Sequence, residues 1–366
     1  MTMFLCGDVM TGRGIDQILP YPSDPVLYEP SMKNAREYVT LAEDATGLIQ
    51  KPVKFAYIWG DALEEWARVA PDIRIINLET AVTRSNDRED KGINYRMSPD
   101  NVSCLTAAQI DCCVLANNHV LDWGIAGLSE TLDTLRKEHL TTAGAGRNLR
   151  EAETPAVLEV TGKGRILVFA YGAETSGVPW NWAASEDTPG INLLADCSDE
   201  TVEHLAACVR SVQQPGDIVI VSLHWGGNWG YEIPHRHREF AHRLIDDAGV
   251  HVLHGHSSHH VRGIEVYKNK LILYGCGDFL NDYEGISGYK DYRGDLSLMY
   301  FVTVEPSTGN LVSLHMTPMQ IKHFRENRAS REDAEWLTDT LNREGKRFGT
   351  RVELQKNNTL ILRWGA

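Results

Sequence analysis

Five polar clusters each close a short apolar run. Asp8 follows Phe4-Leu5-Cys6-Gly7, and Glu79 follows Ile75-Ile76-Asn77-Leu78. Asn117-Asn118-His119 follows Val114-Leu115-Ala116, and His224-Trp225-Gly226 follows Val219-Ile220-Val221-Ser222-Leu223. Gly255-His256-Ser257-Ser258-His259 follows Val252-Leu253-His254. Two carboxylates, an amide and three imidazoles make a mixed nitrogen and oxygen donor set that suits Zn, Mn or Fe. A carboxylate can bridge two such ions, and ions paired about 3.5–4 Å apart are common apparatus for phosphoryl transfer and hydrolysis. Singly, each residue has a plainer explanation. A strand-end Asp or Glu caps a helix, Asn-Asn-His forms a turn, and a lone histidine sits satisfied in a core. Five in order, each closing an apolar run, point instead to a metal centre. Histidine density agrees, with nine of the fourteen lying between His224 and His260.

The runs that carry these residues are Met3–Cys6, Ile73–Leu78, Cys112–Ala116, Ile166–Tyr171, Ile218–Leu223, Val250–Leu253 and Leu271–Tyr274. They are short and rich in Val and Ile, which predicts buried strands. Helical stripes lie between several of them, at Leu128, Leu132 and Leu135, and at Phe240, Leu244, Ile245 and Ala248. This alternation predicts an α/β fold, in which successive strand ends converge on one ligand-binding crevice. Residues 20–60 hold five prolines and many aromatics, and predict a long irregular insertion in a catalytic domain spanning 1–324. Residues 325–366, with one charged helix near Arg331 to Lys346 and two short strands, predict a C-terminal appendage.

The chain has 366 residues and a net charge of −14, against a nucleic-acid partner, which needs a basic face. Seven scattered cysteines without a C-x-x-C pair predict reduced, mostly buried thiols. No apolar run reaches the length of a membrane span, and Asp8 interrupts the first one before it could serve as a signal peptide. A cytoplasmic protein acting on a small-molecule or peptide substrate is the expectation.

Read as an ordered set, Gly7-Asp8-Val9-Met10-x-Gly12-Arg13, Asn77-Leu78-Glu79, Ala116-Asn117-Asn118-His119-x-x-Asp122-x-Gly124, His224-Trp225-Gly226 and Gly255-His256-x-x-His259 resemble the CapA (poly-γ-glutamate capsule protein) family. That family is similar to the calcineurin-like metallophosphoesterases. Leu271 to Phe279 resembles its closing strand, commonly Tyr-Ser-Leu-Gly-Asn-Phe. The resemblance implies a two-sheet, four-layer α/β/β/α sandwich with one or two divalent ions (Mn, Zn or Fe) at its edge. It further implies that Asp8 binds a first metal, that Glu79 bridges, and that Asn118, His224 and His256 hold a second, with His259 returning to the first. The activity implied is hydrolysis of a phosphoester or related anionic bond by a metal-bound hydroxide. His119 would be the general acid, oriented by Asp122. Three positions depart from the calcineurin-like pattern: Met10 replaces a ligand histidine, Glu79 replaces Asp, and Gly-His-x-x-His replaces Gly-His-x-His.

Arg13 is a candidate catalytic residue that binds an anionic group and neutralises developing negative charge, against a structural salt bridge; Lys91, Arg96 and Glu232 are candidate substrate contacts, the two cations against ordinary surface charges. Glu232 either orients a ligating imidazole or caps the next helix. His235, His237 and His242 read as solvated, His254 as buried, and His260 as facing away from His259. The alternatives to hydrolysis are a metal-dependent peptide epimerase or amide-directed enzyme using the same site, and a non-catalytic binding protein.

Overall fold

The computed structural model describes residues 1–286 and 288–365. Among them, two mixed sheets of eleven and seven strands stack face to face. In the first, Asp278–Leu280, Asp8–Val9, Ile73–Leu78 and Thr2–Leu5 run on into Leu296–Val304 and Leu311–Ile321. Cys112–Val114 and Thr141–Ala143 extend it beyond Ile73–Leu78. The second is centred on three parallel strands, Gly164–Ala173, Ile218–His224 and Val252–His256. Lys270–Leu273 joins them in parallel beside Val252–His256, and every predicted strand run overlaps one of these elements, because β-branched runs of that length bury best between layers.

The alternating pleat divides the apolar residues into three cores. Met3, Leu5, Ile75 and Val114 of the first sheet meet Ile166, Ile220 and Val252 of the second, and form the inter-sheet layer. On the first sheet's outer face pack the helices Arg36–Thr46, Ala62–Val69 and Gly124–Lys137. On the second sheet's outer face pack Asp199–Val212 and His235–Ala248. The result is a four-layer α/β/β/α sandwich. All seven cysteines are free thiols, five of them buried. No helix among the described residues is long and apolar enough to cross a membrane.

Residues 325–365, within the segment read from the sequence as an appendage, are built into this sandwich. Leu360–Trp364 pairs with Leu311–Ile321, and Thr350–Leu354 continues the sheet edge. The helix Arg331–Gly345 sends Leu337 and Leu341 into the inter-sheet core. Its charged character reflects only its outer face. The 20–60 segment is also more ordered than its prolines imply, since Arg36–Thr46 is a regular helix that buries Tyr38, Val39 and Ala42.

Glu65 ties the C-terminal segment to the first helical layer. Its carboxylate accepts hydrogen bonds from Thr317 Oγ1 at 2.6 Å, Arg328 Nη2 at 2.8 Å and Arg68 Nε at 2.9 Å. Burial alone would raise its pKa, but these donors overcome it and hold the group at about 2, below the ordinary 4.5. A depressed folded-state pKa stabilises above the unfolded value, and that contribution is lost as pH falls from about 4.5 towards 2. Glu65→Gln should therefore cost about 1.5–3 kcal/mol at pH 7, the range for hydrogen bonds to charged groups. Urea denaturation of both proteins at pH 7 and pH 3 checks this, and the gap should shrink at the lower pH.

Candidate metal centre

The strand ends bring the predicted donors together by register. His224 lies directly opposite His256 on adjacent parallel strands. Asp8 lies opposite Asn77 on one side and Asp278 on the other. Gly7 permits this last pairing: a Cβ there would sit 1.7 Å from the carbonyl oxygen of Gly277. Any side chain at residue 7 would push Asp8 out of the sheet edge.

Asp8, His224 and His256 are all buried, and each offers a ligand atom within 4.8 Å of the others. His224 Nδ1 lies 2.8 Å from His256 Nδ1, and Asp8 Oδ1 lies 3.6 Å from the latter and 4.0 Å from the former. Two donors about 2.1 Å from one ion lie roughly 3.0–3.4 Å apart in octahedral or tetrahedral geometry, so small shifts suffice. The other edge of His224 faces Asn118 Oδ1 at 3.0 Å and Glu79 Oε1 at 3.7 Å. Thus Asp8, Glu79, Asn118, His224 and His256 converge as the sequence predicts. His259 lies beside them, bonded through Nδ1 to Asp278 Oδ1 at 2.9 Å.

A relay of buried groups fixes which nitrogen His256 presents. His254 Nε2 lies 2.6 Å from the Cys6 carbonyl, which can only accept, so the proton is on Nε2. His254 Nδ1 then accepts from Ser222 Oγ at 3.1 Å, and Ser222 accepts from His256 Nε2 at 2.8 Å. His256 Nδ1 is left with a lone pair aimed at Asp8 and His224. Such partners behind a ligating imidazole set its orientation and basicity. A second chain holds Asp8: Asn117 donates to Asn77 Oδ1 at 3.0 Å, and Asn77 donates to Asp8 Oδ1 at 2.7 Å.

The electrostatics suit a bound cation. Burial, then the charge of Asp278, pushes Asp8 up to about 7. Burial, then Asp8, raises Glu79, and burial lowers both His224 and His256. Glu79 Oε2 is buried with no hydrogen-bond partner. An unpaired buried carboxylate oxygen is costly, and an ion among these oxygen and nitrogen donors would satisfy it. The donor set fits one or two divalent transition-metal ions.

His119 stands at the rim. Its Nδ1 lies 2.6 Å from Asp122 Oδ2, and its Nε2 points inward, 3.9 Å from Glu79 Oε1. The Tyr95 ring meets it edge-on, with centroids 4.2 Å apart, and the Tyr95 backbone N–H donates to the same Asp122 oxygen at 2.6 Å. Lys91 Nζ lies 2.8 Å from Asp122 Oδ1. The lysine thus reaches the site but is engaged by this carboxylate.

Other candidates are placed differently. Arg13 is buried, with its Nε 3.1 Å from Asp282 Oδ2 and its Nη1 2.9 Å from Glu29 Oε1, and its guanidinium stacks on Tyr38 and Tyr95. Four of its five N–H groups are taken by Asp282, Glu29 and Tyr38, which hold the insertion against the sheet. Arg96 packs on Trp123 and donates to Ser85 and Asp24 carbonyls, away from the donors. Glu232 is exposed and does not cap the following helix. His237 is buried rather than solvated, stacked on Trp225 at 4.4 Å, and His242 pairs with Glu265 at 2.8 Å. His260 turns away towards Tyr231 and Tyr292. Asp278 belongs to the site although only its strand was singled out from the sequence. The signal was a glycine directly before it, four residues past the run Leu271–Tyr274, as Gly7 precedes Asp8.

Residues 2–283 match the family model described as bacterial capsule synthesis protein PGA_cap. A probable polyglutamine synthesis accessory protein of Mycobacterium tuberculosis is 47% identical over 362 residues, covering 98% of this chain and 95% of its own. The PGA biosynthesis protein CapA of Bacillus subtilis is 29% identical over 247 residues, covering 67% of this chain and 60% of its own. A solved structure of a novel phosphatase from Mycoplasma pneumoniae aligns over 92% of this chain and 96% of its own, at 12% identity. Its TM-score of 0.47 is too low to bear on fold or chemistry.

Proposed function

This chain belongs to the bacterial capsule synthesis protein (PGA_cap) family, and from that premise we propose that it is a divalent-metal-dependent hydrolase of a phosphoester or related anionic bond. The observation that carries the reading is the buried convergence of Asp8, Glu79, Asn118, His224 and His256, with His119 beside them and held from behind. Asp8, Glu79, Asn118, His224 and His256, with His259 and Asp278 at the edge, would hold one or two ions. Those ions, when bound, supply Lewis acidity and lower the pKa of water.

His119 handles the proton. Asp122 fixes the proton of Nδ1, so Nε2 faces the reacting bond. Burial lowers the His119 pKa to about 4, and the free ring is therefore neutral near pH 7. An anionic group entering beside Nε2 favours the imidazolium, so the second proton arrives with the substrate and is passed to the leaving oxygen. Lys91 shares Asp122 and limits how far that carboxylate can stabilise the cation. Asp122→Asn should lower turnover by about 10–100-fold, the usual cost of removing such a partner. Its bound metal should stay unchanged, which steady-state kinetics with elemental analysis checks.

A cavity of about 730 Å³ opens from His259 and Asp278 and is lined by Trp229, Tyr283, Tyr289, Lys290 and Lys322. Glu284 and Asp295 line it too, so its aromatic walls and mixed charges suit an extended polar substrate whose anionic groups meet Lys290 and Lys322. The test of the reading is a metal-reconstituted sample assayed against phosphomonoesters, diesters and nucleotides. Turnover that needs added Mn or Zn supports it, and inactivity across the panel rejects it.

The names of the relatives, which refer to polyglutamine synthesis and PGA biosynthesis, favour one second reading. In it, the same site works on peptides, as an epimerase or an amide-directed enzyme. Incubating glutamyl peptides in deuterium oxide separates the two, because label at an α-carbon without cleavage belongs to epimerisation alone.

A further inference from the structure

Across the second sheet from this centre, three unlike donors meet between two helices. His204 and Cys208 stand one turn apart on the helix Asp199–Val212, and Glu153 ends the helix Leu149–Glu153. His204 Nε2 lies 2.8 Å from Glu153 Oε1 and 3.7 Å from Cys208 Sγ. All three ligand atoms lie within 4.8 Å of one another. The three come from two unlike chain segments, a thiol, an imidazole and a carboxylate, with Glu153 and Cys208 half-buried and His204 open to solvent.

We propose that Glu153, His204 and Cys208 form a second metal site, selective for a zinc-class ion, with a water completing the fourth position. Sulfur, imidazole and carboxylate together suit Zn²⁺ and disfavour Mg²⁺ or Ca²⁺, which prefer oxygen alone. The two helices supply the ligands from separate chain segments, so a bound ion would pin the Leu149–Glu153 helix to Asp199–Val212. The centre at Asp8 contains no sulfur, which makes the two sites spectroscopically distinct.

Cobalt(II) titration of the full chain tests this, because a thiolate ligand gives a near-ultraviolet sulfur-to-cobalt charge-transfer band. The band should appear in the wild-type protein, persist in Cys197→Ser and vanish in Cys208→Ser. In His204→Ala it should require at least about tenfold more metal. Zn²⁺ should also slow alkylation of Cys208 in the unsubstituted protein, a reading that needs no variant to fold. Absence of the band, its survival in Cys208→Ser, or alkylation indifferent to Zn²⁺ overturns the proposal.

Discussion

His224→Ala is expected to release metal and activity together. Both edges of this ring face donors: Nδ1 meets His256 at 2.8 Å, and Nε2 meets Asn118 at 3.0 Å. It therefore joins the Asp8 and Glu79 halves of the site, and no neighbouring side chain can replace it. Alanine leaves a space that water can fill, but water brings no fixed orientation. Removal of a mere supporting partner costs metal sites about 10–100-fold in affinity, and loss of this ligand should exceed that. Elemental analysis after dialysis should find the variant without its metal and with turnover at background. Full metal content in this variant would show that the ion binds elsewhere.

His119→Ala should behave oppositely, with metal kept and rate lost. The ring touches Glu79 only at 3.9 Å and is anchored outward to Asp122, so its removal spares the donor cluster. General acid–base groups contribute about 10²–10⁴-fold, and the loss should fall in that range for substrates with poor leaving groups. It should shrink for good leaving groups, which depart without protonation. Equal losses for both would remove the proton-donating role, and loss of metal would make His119 a ligand.

The ends of the strands were legible because a parallel strand that is apolar until its last residue delivers that residue to a known place. His224 and His256 end their strands and Glu79 follows directly on its own, while Asp8 and Asn118 stand three and four residues past theirs. His259 is reached by a turn beyond its strand, and its tie to Asp278 depends on register between chain ends 270 residues apart, since Asp278 pairs with Asp8. No local pattern encodes that. Arg13 shows the same difficulty from the other side, because its partner Asp282 is 269 residues away and a long guanidinium side chain can turn in several directions. His237 was readable: it shares a helical face with Ala241, Leu244 and Ala248, so its burial follows from spacing. The C-terminal helix misled because its polar face outnumbers its apolar one, while Leu337 and Leu341 alone suffice to seat it in the core.

If the strand-end cluster binds divalent metal through this chain's own side chains, anomalous scattering from crystals grown with Mn²⁺ will locate it. A manganese peak is expected within about 2.0–2.3 Å of Asp8, His224 and His256 donor atoms, with Glu79 Oε2 turned towards it or towards a second peak beside His259. A map with no anomalous density there, and with His224 and His256 still hydrogen-bonded to each other, would contradict metal binding by the cluster.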